Sequence, residues 1–212
     1  QLNNPAPYEN GWHPKKVEHP LWPQIKQKLS ATVDIIPKDT KSVISWNGLV
    51  LSSLSYAYNT FKNASYKQQA QVLAKKLTEV LLQVQPPRAI SLTGESLGHA
   101  NLEDYAFVLK GLNDYQNLSG DKRFSKTINK LEAKVLQQFF IDNLWQYNAQ
   151  PLLPMQTKPP LKDGPLPSPL GAVLCRTPEI NHRYQQLMQN QPLDYASLID
   201  SLNCKSNLNS VK

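Results

Sequence analysis

At 212 residues and 24.0 kDa the chain is long enough for one hydrophobic core, and nothing in its length demands a second. Lys and Arg total 23 against 16 Asp and Glu, a formal charge of +7, but the lysines are scattered and no arginine cluster interleaved with aromatics marks a nucleic-acid groove. The charge reads as solubility with weak attraction to an anionic partner or membrane surface; no apolar run approaches the ~20 residues of a bilayer span, and no cofactor or metal-ligand pattern is present.

Residues 1–34 form the first region. Pro5, Pro7, Pro14 and Pro20 stand among Asn, Tyr and Trp without periodicity, which predicts an extended arm. A short helix follows from Leu21 to Leu29, with Trp22, Ile25 and Leu29 on one side and Lys26 and Lys28 on the other. Tyr8, Trp12 and Trp22 are candidate anchors for a partner protein. Because residue 1 is Gln, an upstream segment is expected to have been removed, either a signal peptide or the rest of a precursor. That expectation suits a periplasmic or secreted location, with a cytoplasmic one as the alternative.

Residues 35–212 read as helical hairpins. From Ser42 to Phe61, Val43, Trp46, Val50, Leu54, Ala57 and Phe61 make one helical stripe and Ile44, Leu51 and Tyr58 a second, which predicts a helix buried on nearly every side, capped by Thr40 or Ser42. Asn63 to Ser65 turns the chain. Tyr66, Ala70, Leu73, Leu77, Leu81 and Val84 then form a single stripe backed by lysines and glutamines, a half-wet helix ended by Pro86 and Pro87. Past Gly94 and Gly98, residues 101–112 predict another buried helix, with Leu102, Tyr105, Leu109 and Leu112 in register and Ala106, Phe107, Val108 and Gly111 widening the stripe. Ser119 to Asp121 turns again, into a half-wet helix on Phe124, Ile128, Leu131, Val135 and Phe139. A fainter third pair starts at Pro167-Ser168-Pro169, continues with an amphipathic segment on Ile180, Tyr184, Leu187 and Met188, and ends with Leu193 to Leu202. No strand pattern competes, so the fold class is all-α.

Buried and half-wet helices alternate, joined within each pair by a short turn and between pairs by a long connection. Inner helices packed in one layer and outer helices in another therefore place all long loops, and the starts of the inner helices, at one end. A ligand site is expected there.

Three motifs in that order, Asp39-Thr40-Lys41 with Ser45-Trp46-Asn47-Gly48-Leu49, Leu102-Glu103-Asp104-Tyr105-Ala106-Phe107 with Gly111-Leu112, and Asp163-Gly164-Pro165-Leu166-Pro167-Ser168, resemble the helical region of the spermatogenesis-associated thioredoxin-like family over about residues 35–175. The resemblance implies a toroid of inner and outer helices, similar to those of N-acylglucosamine 2-epimerases and glycosidases. Here about three of the six hairpins fit, the thioredoxin domain and its CxxC are absent, and Pro169-Leu170 stands where the family pattern has Gly-Asn. It implies a partial (α/α) toroid of about three hairpins behind a proline-rich arm.

Glu103 and Asp104 are the candidate acid/base pair, since adjacent carboxylates separate their pKa values. The same residues also read as a helix start, with Asn101 as cap and acids in the first turn. Asp39, Lys41, Trp46, Asn47, His99 and Asp163 are candidates to line one pocket with them. Trp46 reads first as core, His99 as surface and Asp163 as a turn residue. Cys175 and Cys204 are either idle thiols or, in an oxidising compartment, one disulfide worth about 3 to 4 kcal/mol. Two functional classes follow: a non-catalytic binding or assembly subunit held to other protein subunits, and, alternatively, a carbohydrate-acting enzyme of epimerase or glycosidase type.

Overall fold

The computed structural model describes residues 20–32, 39–142, 144–150, 158–174 and 192–200. The chain divides into two units, Gln1–Asp39 and Thr40–Lys212. The first unit contributes α1 (Trp22–Thr32), on which Trp22 and Ile25 are exposed. Tyr8, Trp12, Cys175, Cys204 and the predicted segment around Tyr184 lie outside the described residues.

The second unit runs β1 (Ser42–Val43), α2 (Ile44–Phe61), α3 (Ala64–Leu81), β2 (Ala89–Ile90), β3 (Ser96–Leu97), α4 (Leu102–Ser119), α5 (Ser125–Phe139), β4 (Phe140–Ile141), β5 (Leu144–Trp145) and α6 (Pro169–Val173), followed by a 3-10 turn, Pro192–Tyr195, and a helical turn over residues 196–200. The chain is all-α, with strand pairs only two residues long. No described helix is long and apolar enough to cross a membrane.

Local chemistry sets the helix ends. Lys62, in the left-handed region at φ 55, stops α2, and the Asn63 side chain accepts the Ser65 N–H at 2.9 Å to start α3 in the opposite direction. Gly120 at φ 72 stops α4, as the turn at Ser119 to Asp121 predicts. On α5 the narrow stripe is buried as expected, through Ile128, Leu131, Val135 and Phe139.

The core is centred on α4, which packs against α2, α3, α5 and α6 and buries every residue from Leu102 to Leu109. Tyr105 and Phe107 are fully enclosed. The most extensive contact is with α2, and small residues make it possible. A Cβ on Gly48 would lie 2.5 Å from the Phe107 carbonyl carbon, and one on Gly111 2.5 Å from the Gly48 carbonyl oxygen. Here two backbones touch with no side chain between them.

This contact corrects the expectation that α2 is buried on nearly every side. The face turned to α4 is Ile44, Ser45, Gly48, Leu51, Ser52 and Ser55, not the bulky stripe. Trp46, expected in the core, is 56% exposed, and Val50 and Phe61 point outward with it. Close packing selected the small face, and two of its three serine hydroxyls are satisfied: Ser55 Oγ donates to the Leu51 carbonyl at 2.8 Å and Ser52 Oγ to Asp114 of α4.

The strands are a second departure. β1, β2 and β3 pair antiparallel, with Ser42 opposite Ile90 and Ala89 opposite Leu97; β4 pairs with β5. Two-residue pairings leave no period in a sequence. They nonetheless tie the connection before α2 to the one before α4, and the Leu102 N–H, donating to the Tyr147 carbonyl at 2.9 Å, brings in the connection after α5. The long connections therefore meet at the starts of α2 and α4.

Candidate functional site

At the start of α4, Asn101 Oδ1 accepts the Glu103 and Asp104 N–H groups at 3.0 and 3.4 Å, and Asp104 Oδ2 accepts the Asn101 N–H at 3.0 Å. This is a complete capping box. The other oxygen of Asp104 leaves its own helix and accepts the Ser45 N–H at 3.0 Å. The N-cap position of α2 is Val43, which has no capping side chain, so neither Thr40 nor Ser42 fills the predicted role. Asp104 supplies that cap from another helix.

Arg88, just after the proline pair, closes the cluster. Its carbonyl accepts the Ile44 N–H at 2.9 Å, its Nη2 lies 3.3 Å from Glu103 Oε1 and its Nη1 3.9 Å from Asp104 Oδ2. The Tyr147 hydroxyl donates to Glu103 Oε2 at 2.8 Å. Ser45 Oγ is buried and makes no hydrogen bond, so Ser45 bonds to Asp104 through its backbone N–H and not its hydroxyl.

Burial pushes the Asp104 carboxyl up to about 6, outweighing the Asn101 and Ser45 N–H groups and the Arg88 charge, which all favour the anion. Tyr147 is pushed up to about 12 by burial and then by its bond to Glu103. Burial works to lower Arg88, but the charges of Asp104 and Glu103 carry it upward.

The predicted pocket residues divide. Glu103 and Asp104 come together with Arg88, Tyr147 and Ser45, whereas the Asn47 amide turns back on the start of its own helix, donating to Ser42 Oγ at 3.0 Å and to the Val43 carbonyl at 2.7 Å. Lys41, Trp46 and His99 are exposed side chains of the Thr40–Lys212 unit, and Asp39 belongs to the other unit. Asp163 organises a different junction. Its Oδ1 accepts the Ser168 N–H at 2.8 Å and the Ser197 hydroxyl, and its Oδ2 accepts the Ser197 N–H at 2.8 Å. One carboxylate thus caps both α6 and the helical turn at 196–200, where Gly171 allows the two to touch. Asp163 does for this pair what Asp104 does for α2 and α4.

No protein-family model and no curated protein matches the chain. What the cluster can do chemically therefore follows from its geometry. Asp104 has no exposed surface and both oxygens accept backbone N–H groups, so it positions helices and does not reach a ligand. Glu103 keeps 11% of its side chain exposed, clasped between Arg88 and Tyr147. Arg88, Tyr147 and Ser45 escape sequence reasoning because they lie 15, 44 and 59 positions from their partners, and no spacing rule reaches that far.

Replacing Asp163 by Ala leaves the Ser168 and Ser197 N–H groups without their acceptor, and the expected loss is about 2 to 4 kcal/mol. Urea unfolding followed by circular dichroism reads it. Asp163→Asn, with one acceptor oxygen left, should recover part of the loss; equal stability of Asp163→Ala and the parent would show that Asp163 does not hold this junction.

Proposed function

We propose that this chain is a binding or assembly subunit without catalysis of its own, built on a partial (α/α) toroid of about three hairpins, as in the helical region of the spermatogenesis-associated thioredoxin-like family. The observation that carries the reading is the outer face of α2. From Ile44 to Phe61 the helix contains no charged residue, yet Trp46, Val50 and Phe61 are exposed on it. An uncharged apolar stripe on a helix surface marks an interaction site. The alternation of broad and narrow stripes, with the long connections gathered at one end, supports the toroid.

The carbohydrate-acting alternative draws on Asp104, whose carboxyl burial pushes up to about 6 and which stands next to the carboxylate of Glu103. Against it, Asp104 is sealed under two backbone N–H groups and Glu103 is ion-paired. Those bonds support a structural role for both.

The test is to isolate the tagged full chain from its native source alongside Val50→Glu. Under the subunit reading the parent elutes well above 24.0 kDa and the variant at 24.0 kDa, with equal helicity. A 24.0 kDa parent that turns over a sugar and loses that activity on Glu103→Gln would move the protein to the enzyme class.

A further inference from the structure

Lysines scattered along the sequence are gathered by α5 into a row. Lys126, Lys130 and Lys134 recur at every fourth position, about 6 Å apart along the axis, with Lys122 in the turn before them, and Glu132 is the one carboxylate from Lys122 to Phe139. Lys126 and Lys130 are exposed and stand opposite the buried Ile128, Leu131 and Val135, so they form the outermost ridge of the helix. Neither they nor Lys122 has an acidic partner among the described residues, whereas Lys75, Lys110 and Lys162 are each ion-paired. At the far end of the row Lys134 turns to α3 and donates to the Leu81 and Gln83 carbonyls at 3.1 Å each. Those bonds set Leu82 and Val84, 38% and 95% exposed, beside the end of the row.

We infer that this row is a contact surface for an anionic lipid bilayer, a role that goes beyond the subunit reading and does not depend on it. A convex ridge of compact ammonium groups suits a flat layer of diffuse negative charge, which asks for no directed hydrogen-bond fork. Nucleic acid would draw on arginine forks and stacked aromatics. The row offers neither, because Arg123 is bonded to Asp121 and both Phe124 and Phe139 pack into the core. An acidic protein surface would meet the lysines and leave Val84 in water, whereas a headgroup layer takes up cations and aliphatic side chains together. Each lysine brought to such a surface strengthens binding about fivefold, so Lys122, Lys126 and Lys130 together contribute roughly a hundredfold. The attachment is therefore reversible, and salt releases it.

Co-sedimentation of the full chain with vesicles tests it, comparing phosphatidylcholine containing one third phosphatidylserine with phosphatidylcholine alone. The chain should partition to the anionic vesicles roughly a hundredfold more strongly, and raising the ionic strength several-fold should abolish the difference. Lys126→Gln combined with Lys130→Gln keeps good helix formers at both positions and should lower the partition about thirtyfold with an unchanged circular dichroism spectrum. Lys28→Gln combined with Lys158→Gln removes the same net charge from outside the row and should leave the partition within about twofold. Equal partition of the parent to both kinds of vesicle overturns the proposal, as does a row variant that binds no more weakly than the Lys28 and Lys158 variant. Binding to soluble polyglutamate or single-stranded RNA through the same lysines, without partition to vesicles, would assign the row to a soluble polyanion and overturn it as well.

Discussion

Gly48→Val is expected to cost more than about 3 kcal/mol and to leave the Thr40–Lys212 unit without a cooperative unfolding transition. The atoms a new Cβ would meet are the carbonyl carbon of Phe107 and the backbone nitrogen of Val108, at 2.5 and 2.6 Å. Backbone cannot rotate away as a side-chain tip can, so α2 and α4 must separate along their most extensive contact. Gly48→Ala introduces the same Cβ, offset by the roughly 1 kcal/mol that Ala gains over Gly in a helix, and should lose about 1 to 2 kcal/mol net. Gly164→Ala, whose Cβ meets nothing, is the matched control and should be neutral. Urea denaturation of the three variants reads the order directly, and a Gly48→Ala protein as stable as the parent would mean that the two backbones do not touch.

The second large effect belongs to Asp104. Asp104→Ala removes the acceptor for the Ser45 and Asn101 N–H groups and the partner nearest Arg88 Nη1, all inside the core, and should lose about 3 to 5 kcal/mol. Asp104→Asn removes the charge and keeps one acceptor, so its loss is smaller and its pH dependence differs. Burial raises the folded carboxyl to about 6 above its ordinary value of 3.8. An acid raised in this way contributes stability that is complete below the ordinary value and is lost as pH rises through about 6. The parent should therefore gain stability relative to Asp104→Asn as pH falls from 7 toward 4, by up to about 3 kcal/mol. Asp121 works in the opposite sense, because the Arg123 guanidinium holds its carboxyl below the usual range and that stability fades on acidification. The comparison with Asp104→Asn at each pH cancels the Asp121 contribution. A parent and Asn variant with parallel pH profiles would show that Asp104 is ionised throughout and that its N–H partners outweigh burial.

How much of this was legible beforehand differs by residue. The capping box at Asn101 and Asp104 is a local pattern, four residues long, and can be read directly. The second bond of Asp104, to Ser45, is not, because the carboxylate serves a helix 59 positions away. Asp163 reads as a turn residue because its partners Ser168 and Ser197 lie 5 and 34 positions on, and only the first is within the reach of turn chemistry. For α2 the apolar positions were identified correctly, but both stripes were expected to be buried, and Trp46, Val50 and Phe61 of the first are exposed. Periodicity reports which residues share a stripe, and a helix apolar on two sides leaves the choice between them to its neighbour.

The amino-acid sequence by itself determined that the fold is all-α, that helices start near residues 43, 64, 102 and 125, and that α4 is buried while α5 is half-wet, since these rest on periodicity, caps and breakers within a few residues of one another. Only the tertiary structure decided that α4 and not α2 is the centre, that Trp46 faces outward, and that Arg88, Glu103, Tyr147 and Asp104 form one cluster. The physical reason is the backbone contact between Gly48 and Gly111. It turns the small face of α2 inward, and the bulky stripe that hydrophobicity alone would bury is left on the surface.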